Sequence, residues 1–475
     1  MTKPLNTDIC IIGAGAAGLS VAAVAAQLDR SVVLIENHKM GGDCLNYGCV
    51  PSKALIAAGH VAETMRQATT FGIDKVEAHV DYAQVKAHVR HVQDQIAPND
   101  SVERFTKLGV NVIQAEAKFM DKTRLQAGDK LIKAKYFVIA TGSSAAIPPI
   151  TGLDQVSYLT NETIFDLDKK PEHLIVIGGG PIGTELAQAH ARLGTTVTQL
   201  VVGKLLPKDQ ADLVQVVRDE LIANGTHVIE DIDNISQVEP SGDNIIVHYK
   251  LKNQTHSVTG SHLLVATGRS ANVNGLNLEA AEVDYNPRGI ITDKRLRSSN
   301  KHIYAIGDVA GPYQFTHMAS YQAGIVIRNM LFKLPAKVDY RAVAWVTYTS
   351  PELAHVGMQP AEARAYDKQC RMIELPFTDN DRAQAERATA GKIQVITNRK
   401  GIVLGCDIVG NHAGELLLPW CMAVQHKLSI RKMADLIAPY PTLSELSKRV
   451  AGSYYQSTLF SNKTKWLVKW LDRLF

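Results

Sequence analysis

Cysteine is scarce in this chain: six in 475 residues, at Cys10, Cys44, Cys49, Cys370, Cys406 and Cys421. That is too few and too scattered for the disulfide framework of a small secreted protein, and it fits a reducing compartment. No C-x-x-C pair and no histidine-rich cluster offers a metal site, so none is expected. Charge of one sign is also missing. With 51 basic and 47 acidic side chains the formal charge is +4, which gives no reason to expect a nucleic-acid partner. Long apolar runs are absent as well. The run from Ile9 to Ala26 is broken by Gly13, Gly15 and Gly18, and no other stretch reaches the roughly 18 uninterrupted apolar residues of a membrane-crossing helix. The first residues lack the basic region and cleavage site of a signal peptide, so a cytoplasmic location is expected. The rest, 45% hydrophobic and 21% charged, is a globular composition long enough for three or four modules.

Glycine carries the first positive signal. Asp8-Ile-Cys-Ile-Ile reads as a buried strand, followed by Gly13-Ala-Gly15-Ala-Ala-Gly18, a small-residue helix, and a second strand ending at Glu36. In this arrangement the glycines let the backbone approach a pyrophosphate, the helix N-terminus holds its charge, and the acid binds a ribose hydroxyl. The pattern recurs: residues 8–36 align without gaps on 173–201, the second copy carrying Gly178, Gly180 and Gly183. Two copies imply two bound dinucleotides. A smaller repeat supports the pairing, with Ala140-Thr141-Gly142 paralleled by Ala266-Thr267-Gly268, each ending a strand in a tight turn. A third strand, from Ile303, ends in Gly307-Asp308, where a carboxylate can hold a sugar hydroxyl.

The second signal is Gly41-Gly42-Asp43-Cys44-Leu45-Asn46-Tyr47-Gly48-Cys49-Val50-Pro51-Ser52-Lys53. Leu55, Ala58, Val61, Ala62 and Met65 follow at helical spacing, and Pro51 suits the first turn of that helix. Cys49 then lies at a helix N-terminus, where the macrodipole favours a thiolate, and Lys53 adds a cation one turn on. Cys44 can close a small disulfide ring with Cys49 if the intervening loop curls back. Two buried free cysteines are the bland alternative. The glycines, the proline and the lysine together favour a redox-active pair. Elsewhere a helix is expected over Val80 to Phe105. After Val343 short strands (Val346 to Tyr348, Lys392 to Thr397, Ile402 to Val409) mix with helices such as Gly414 to Val424, the texture of an α+β domain.

Together these residues resemble the pyridine nucleotide–disulfide oxidoreductases, among them dihydrolipoamide dehydrogenase, glutathione reductase and mercuric reductase. The resemblance covers about residues 7–455. It implies an α/β fold of two Rossmann-type domains plus a C-terminal α+β dimerisation domain that begins near Thr349-x-Pro351-Glu352. The implied spans are 1–150 and 273–341 for FAD, 151–272 for NAD(P), and 342–460 for dimerisation, with a tail at 461–475. FAD would bind the first glycine motif, with Glu36 on the adenosine ribose and Asp308 on the ribityl chain, and NAD(P)H the second. Lys53 and Glu185 match the family's ion pair beside the flavin. The implied route takes electrons from the nicotinamide through the flavin to a Cys44–Cys49 disulfide. Cys49 stays by the flavin as a thiolate, and Cys44 exchanges with a small-molecule substrate in a homodimer whose sites are shared between subunits.

Three departures narrow the reading. Dihydrolipoamide and glutathione enzymes carry a His-Pro-Thr-x-Ser-Glu stretch near the C-terminus. Here Tyr440 takes the histidine position and Glu445 the acid position, in a run similar to mercuric reductase. Yet mercuric reductase adds a C-terminal cysteine pair and an N-terminal metal-binding module, and no cysteine follows Cys421 here. In the second glycine motif Val201 stands where the first has Glu36, so the acid that would repel a 2′-phosphate is missing, and Lys204 and Lys208 follow. They can meet a phosphate or be solvated loop lysines; NADPH is favoured. The tail places Trp466, Leu467, Trp470, Leu471, Leu474 and Phe475 on one helical face and Lys465, Lys469, Asp472 and Arg473 on the other. It can pack on its own dimer or lie on an anionic membrane surface. The expected activity is NAD(P)H-dependent reduction of a disulfide, a soft metal ion or another small acceptor. The alternatives are dihydrolipoyl dehydrogenase and a flavoprotein delivering electrons at a membrane surface.

Overall fold

The computed structural model describes residues 3–74 and 76–474. Its contacts divide into two units. One runs to Lys204 and resumes over Thr226–Val338; the other comprises Leu205–Gly225 and the chain from Asp339 onward.

The first unit contains two large sheets. In one, Leu5–Ile12 lies parallel between Val32–Glu36 and Lys130–Ile139, with Val110–Gln114 beyond Val32–Glu36. Ile9, Cys10, Ile11 and Ile12 are all buried, as expected of a central parallel strand covered on both faces. The strand Lys130–Ile139 changes partner along its length. Its first half pairs antiparallel with Arg124–Ala127, and its second half runs parallel to Ile303–Ala305. The chain thus returns to its first sheet some 160 residues later and brings Asp308 to it. The other sheet has His173–Ile177 between Thr196–Val202 and His262–Val265, all parallel, extended by an antiparallel meander of Thr226–Ser241, Asn244–Leu251 and Gln254–Gly260.

The second unit is built on a five-stranded antiparallel sheet in the order Ala344–Thr347, Glu352–Gly357, Val403–Gly410, Lys392–Thr397, Arg371–Pro376. The helices Leu418–Gln425 and Glu445–Ser453 cover its core, and Trp420 is wholly buried there with its indole N–H on Ser447 Oγ. This is the expected α+β texture.

Several expected elements are corrected. The helix over Val80 to Phe105 is broken by Pro98 into Tyr82–Ile96 and Val102–Lys107, the second capped by Ser101. Gly414 to Val424 is two helices, Ala413–Leu416 and Leu418–Gln425, with Pro419 in the first turn of the second. Val61, one of the apolar residues at helical spacing, is 60% exposed. The helix Ala211–Ala223, inside the span expected for the second nucleotide domain, groups with the C-terminal unit. There Asp212 pairs with Lys392 and Gln210 donates to Asp407. The tail is helical over Asn462–Leu471 and capped by Ser461, with none of its residues buried; Phe475 lies outside the described residues. No helix among the described residues is long and apolar enough to cross a membrane.

Candidate active site

Backbone contact fixes the first glycine motif. Gly13 has φ 103°, and a Cβ there would lie 2.3 Å from the carbonyl oxygen of Ala140. A Cβ on Gly18 would lie 1.9 Å from Gly13 O, so only glycine lets the helix Ala16–Gln27 sit against the strand. The second motif repeats this geometry, with Gly178 against Ala266 O at 2.2 Å and Gly183 against Gly178 O at 2.7 Å. Each motif thus touches the Ala of the matching Ala-Thr-Gly turn, which explains why both repeats occur twice. Gly15 and Gly180 cap the two helices with no side-chain hydrogen bond. A Cβ would meet only Gly42 Cα at Gly15, at 3.8 Å, and nothing within 4 Å at Gly180. Gly142 and Gly268 hold φ 70° and 133° with equally open surroundings.

The carboxylates flank the first motif. Buried Glu36 accepts the Ala14 N–H at 2.7 Å on one oxygen and the His38 N–H at 2.8 Å on the other. It therefore also braces the loop, and each oxygen keeps a further lone pair. Asp308 accepts the Ser143 hydroxyl at 2.5 Å, and burial pushes its carboxyl above the ordinary range. Thr141 bonds both ways with Asn272, donating to its carbonyl at 2.7 Å and accepting on its own at 3.0 Å. A bare helix N-terminus, a glycine cradle closed to any side chain and two largely buried carboxylates fit a dinucleotide carrying a diphosphate and sugar hydroxyls, as FAD does.

The cysteine segment is seated on this motif. A Cβ on Gly42 would lie 2.7 Å from Gly15 Cα, so the Gly41-Gly42 lead-in lets the two loops touch. Cys44 sits on the short helix Gly42–Asn46, and Cys49 opens the helix Cys49–Gln67. The turn between them closes because Gly48 has no side chain: a Cβ there would stand 2.8 Å from Asp43 Oδ2 and 3.4 Å from Cys44 Cα. Both residues are thiols here, and Cys44 donates a hydrogen bond to Cys49. That bond is the main reason the Cys49 thiol falls to about 6; Thr316 and the Lys53 charge add to it, against burial and Asp43. Cys44 is pushed well up by the same bond and by burial. Lys53 Nζ reaches Glu185 Oε2 at 2.8 Å, with the Glu185 side chain only 7% exposed.

Several site residues escaped the sequence reading. Thr316 Oγ1 lies 3.5 Å from Cys49 Sγ. Arg269 reaches Asp43 Oδ1 at 3.2 Å and donates to Ser143 Oγ at 2.7 Å, linking the cysteine segment to the residue that holds Asp308. A signal existed: Ser143 and Arg269 each follow the glycine of an Ala-Thr-Gly turn. In the second motif Val201 is buried and packs where a Gly179 Cβ would need room, 2.4 Å from Val201 Cγ1. Lys204 pairs with Asp231 at 2.7 Å, and Lys208 falls in the other unit.

Tyr440 and Glu445 belong to the C-terminal unit. Tyr440 is 69% exposed and donates its hydroxyl to Asp381 Oδ2 at 2.9 Å, a bond that raises its pKa. Glu445 begins the helix Glu445–Ser453. Of the histidines that could replace an active-site base, His355 is fully buried between Asp407, at 2.6 Å, and the Trp345 ring. His412 caps a four-residue helix.

With this geometry in place, comparison gives a family. Residues 7–323 match the model of pyridine nucleotide-disulphide oxidoreductases, and residues 343–451 match that family's dimerisation domain. The chain belongs to the pyridine nucleotide-disulphide oxidoreductases, class I flavoproteins with a redox-active disulfide. It is 33% identical to a mercuric reductase of Staphylococcus aureus over 447 residues, 94% of this chain and 82% of the relative. It is 32% identical to a dihydrolipoyl dehydrogenase of Bacillus subtilis (strain 168) over 457 residues, 94% and 96% of the two. Among solved structures it resembles LpdA of Mycobacterium tuberculosis, with a TM-score of 0.86, 29% identity and coverage of 94% and 99%. It also resembles a Cu(II) complex of the HOCl-induced flavoprotein disulfide reductase RclA of Escherichia coli, with a TM-score of 0.85, 25% identity and the same coverage. Family members depend on FAD and use pyridine nucleotides.

Proposed function

We propose that this protein is a homodimeric FAD enzyme that passes electrons from NAD(P)H, with NADPH preferred, through Cys44 and Cys49 to a soft metal ion or a small disulfide. The observation that carries the reading is the paired thiols, one of them a thiolate near neutral pH at a helix N-terminus seated on a dinucleotide motif. FAD, when bound, supplies the two-electron relay between the nicotinamide and the sulfur pair. Gly13, Gly15, Gly18, Glu36, Thr141, Gly142, Gly307 and Asp308 are the residues we assign to hold it. Gly178, Gly180, Gly183 and Gly268 are assigned to the nicotinamide cofactor. We assign 1–150 with 273–341 to FAD, 151–272 to the nicotinamide cofactor except the stretch Leu205–Gly225 that groups with the C-terminal unit, and 342–460 to the interface.

Cys49 stays as the flavin-side thiolate, and Cys44 meets the acceptor. For a disulfide, Cys44 passes its proton along its hydrogen bond to Cys49 and attacks one sulfur, and the other sulfur leaves as a thiolate that takes this proton from Cys49. Cys49 then displaces the substrate sulfur and leaves a Cys44–Cys49 disulfide. The displaced substrate thiolate takes a proton from water, and the hydride equivalent of NAD(P)H, two electrons and a proton, restores the Cys44 thiol and the Cys49 thiolate. Lys53, held by Glu185, keeps a positive charge beside the sulfurs.

The choice of acceptor rests on Tyr440. Its hydroxyl is committed to Asp381 and its pKa is raised, so even less of it is ionised near neutral pH than of a free phenol, and it is not available as a base there. The similarity to mercuric reductases, and to a disulfide reductase solved with Cu(II), supports a soft metal ion. The test is an acceptor screen with NADH and NADPH, comparing wild type with Cys44→Ser. Turnover of soft metal ions or small disulfides should be lost in the variant. If dihydrolipoamide outpaces every other acceptor, the reading is wrong.

A further inference from the structure

The tail helix Asn462–Leu471 has a face that its own chain does not cover. Trp466 is 65% exposed, Leu467 45%, Trp470 46%, Leu471 39% and Leu474 55%. At 100° per residue Trp466, Leu467, Trp470 and Leu471 share one arc, and Leu474 follows in the turn beyond the helix. A contiguous apolar strip that includes two tryptophans is not the scattered exposure normal for a surface. The match to the family's dimerisation domain ends at residue 451, before the strip begins.

The charges around the strip identify what covers it. Residues 461–475 contain Lys463, Lys465, Lys469 and Arg473 against a single acid, Asp472, a formal excess of three positive charges. Lys465, Lys469 and Arg473 line the flank beside Trp466, where their stems can run along the apolar face while their heads reach outward. Tryptophan settles at the level of lipid headgroups, because its ring is apolar and its N–H needs a polar partner. Apolar residues on one face, cations on its flank and length too short to span describe a helix lying in the plane of a membrane. The chain's nearly balanced overall charge makes the tail's excess a local feature.

We infer that residues 461–475 anchor the protein to an anionic lipid surface, with Trp466 and Trp470 in the headgroup layer and Lys465, Lys469 and Arg473 on the lipid phosphates. The anchor does not depend on which acceptor the enzyme reduces, so it can fail or hold independently of the proposed activity.

The test is co-sedimentation of the flavin-loaded full-length protein with vesicles of equal parts phosphatidylglycerol and phosphatidylcholine, and with phosphatidylcholine alone. The anionic vesicles should bind it at low salt, with affinity roughly a hundredfold above the neutral ones, and about 0.5 M sodium chloride should remove most of that difference. Deleting 461–475 should abolish binding while leaving the flavin spectrum, the NAD(P)H oxidation rate and the dimer mass unchanged. Lys465→Glu with Lys469→Glu should lose the anionic preference, and Trp466→Ala with Trp470→Ala should weaken binding to both vesicles. The inference is overturned if the full-length protein stays in the supernatant with anionic vesicles at low salt, or if the truncated chain binds them equally well. It is also overturned if truncation turns the dimer into monomers, because a second copy of the chain then covers the strip.

Discussion

Lys53 Nζ stands 2.8 Å from Glu185 Oε2, tying the helix that opens with Cys49 to the helix that opens the second glycine motif. The second glycine motif and the thiol pair are therefore joined by one charge contact. Lys53→Met should remove a cation that favours the Cys49 thiolate and leave the largely buried Glu185 carboxylate without it. Because Lys53 is itself partly open to solvent, the stability loss should be about 1–2 kcal/mol, less than for a fully buried pair. Thermal unfolding and the rate of flavin reduction by NADPH measure the two effects. A variant with wild-type values for both would show that the contact is incidental.

The Cys44 hydrogen bond is the largest cause of the low Cys49 pKa, which makes a prediction about substitution at Cys44. Cys44→Ser keeps a donor, so the resting enzyme should show the long-wavelength absorbance of a thiolate beside flavin, lost as pH falls through about 6. Cys44→Ala removes the donor and should move that midpoint upward, since burial then opposes the charge with less compensation. Cys49→Ser should abolish the band. A resting Cys44→Ser enzyme without it at neutral pH would reverse the roles given to the two sulfurs.

Val201 fills the place that Glu36 holds in the first motif, and the proposed NADPH preference is tested there. Wild type should have the larger kcat/KM with NADPH. Val201→Glu should introduce a carboxylate that the loop can accept as it accepts Glu36, repelling a 2′-phosphate and lowering the NADPH:NADH ratio by about tenfold or more. Lys204→Ala should change the ratio less, because its charge is already shared with Asp231. A wild-type preference for NADH would overturn this.

Much of this site was legible because its constraints are local. Glycines at which an added Cβ would meet backbone at 1.9 to 2.7 Å, as at Gly13, Gly18, Gly178 and Gly183, admit no other residue, so they mark the sequence at fixed spacing. The cysteine segment was readable for the same reason, since Pro51, Lys53 and both sulfurs lie within two turns. Thr316 and Arg269 were not, because each meets its partner across a long stretch of chain: Thr316 is 267 residues from Cys49, and Arg269 is 126 from Ser143. The break at Pro98 was missed by reading apolar periodicity through a residue that cannot continue a helix. The grouping of Ala211–Ala223 with the C-terminal unit follows from polar contacts at Gln210 and Asp212 that carry no periodic signal.

His190 sets an acid limit on stability. It is wholly buried in the helix that carries Glu185, and neither ring nitrogen has a hydrogen-bond partner among the described residues. Burial, with a smaller contribution from His262, lowers its pKa to about 4. The unfolded chain binds a proton at the ordinary histidine value while the folded chain does not, so stability is lost as pH falls from about 6.5 to 4, by about 3 kcal/mol at most. His190→Leu should flatten this part of the stability–pH profile. Equal slopes for wild type and variant between pH 6.5 and 4 would place the acid sensitivity elsewhere.

Tyr440 gives the proposed acceptor choice its sharpest test, with dihydrolipoamide as substrate. Oxidising a dithiol requires its attacking sulfur to become a thiolate, and a free thiol has a pKa near 8.5. A histidine suits that task near pH 7, and such general-base help is typically worth about a hundred- to ten-thousand-fold. A phenol is a poor base there, and the hydrogen bond to Asp381 raises its pKa further. His355 cannot substitute for it while buried between Asp407 and Trp345. Wild-type dihydrolipoamide oxidation should therefore be slow and should rise toward alkaline pH as the substrate thiol ionises unaided. Tyr440→His should raise turnover near neutral pH, most visibly if Glu445 can orient the new ring. Asp381→Asn should lower the phenol pKa without restoring neutral-pH activity, separating the acidity of Tyr440 from the lack of an imidazole. Fast wild-type turnover with a pH profile breaking near the ordinary histidine pKa would place this chain with the dihydrolipoyl dehydrogenases and would require a base other than Tyr440.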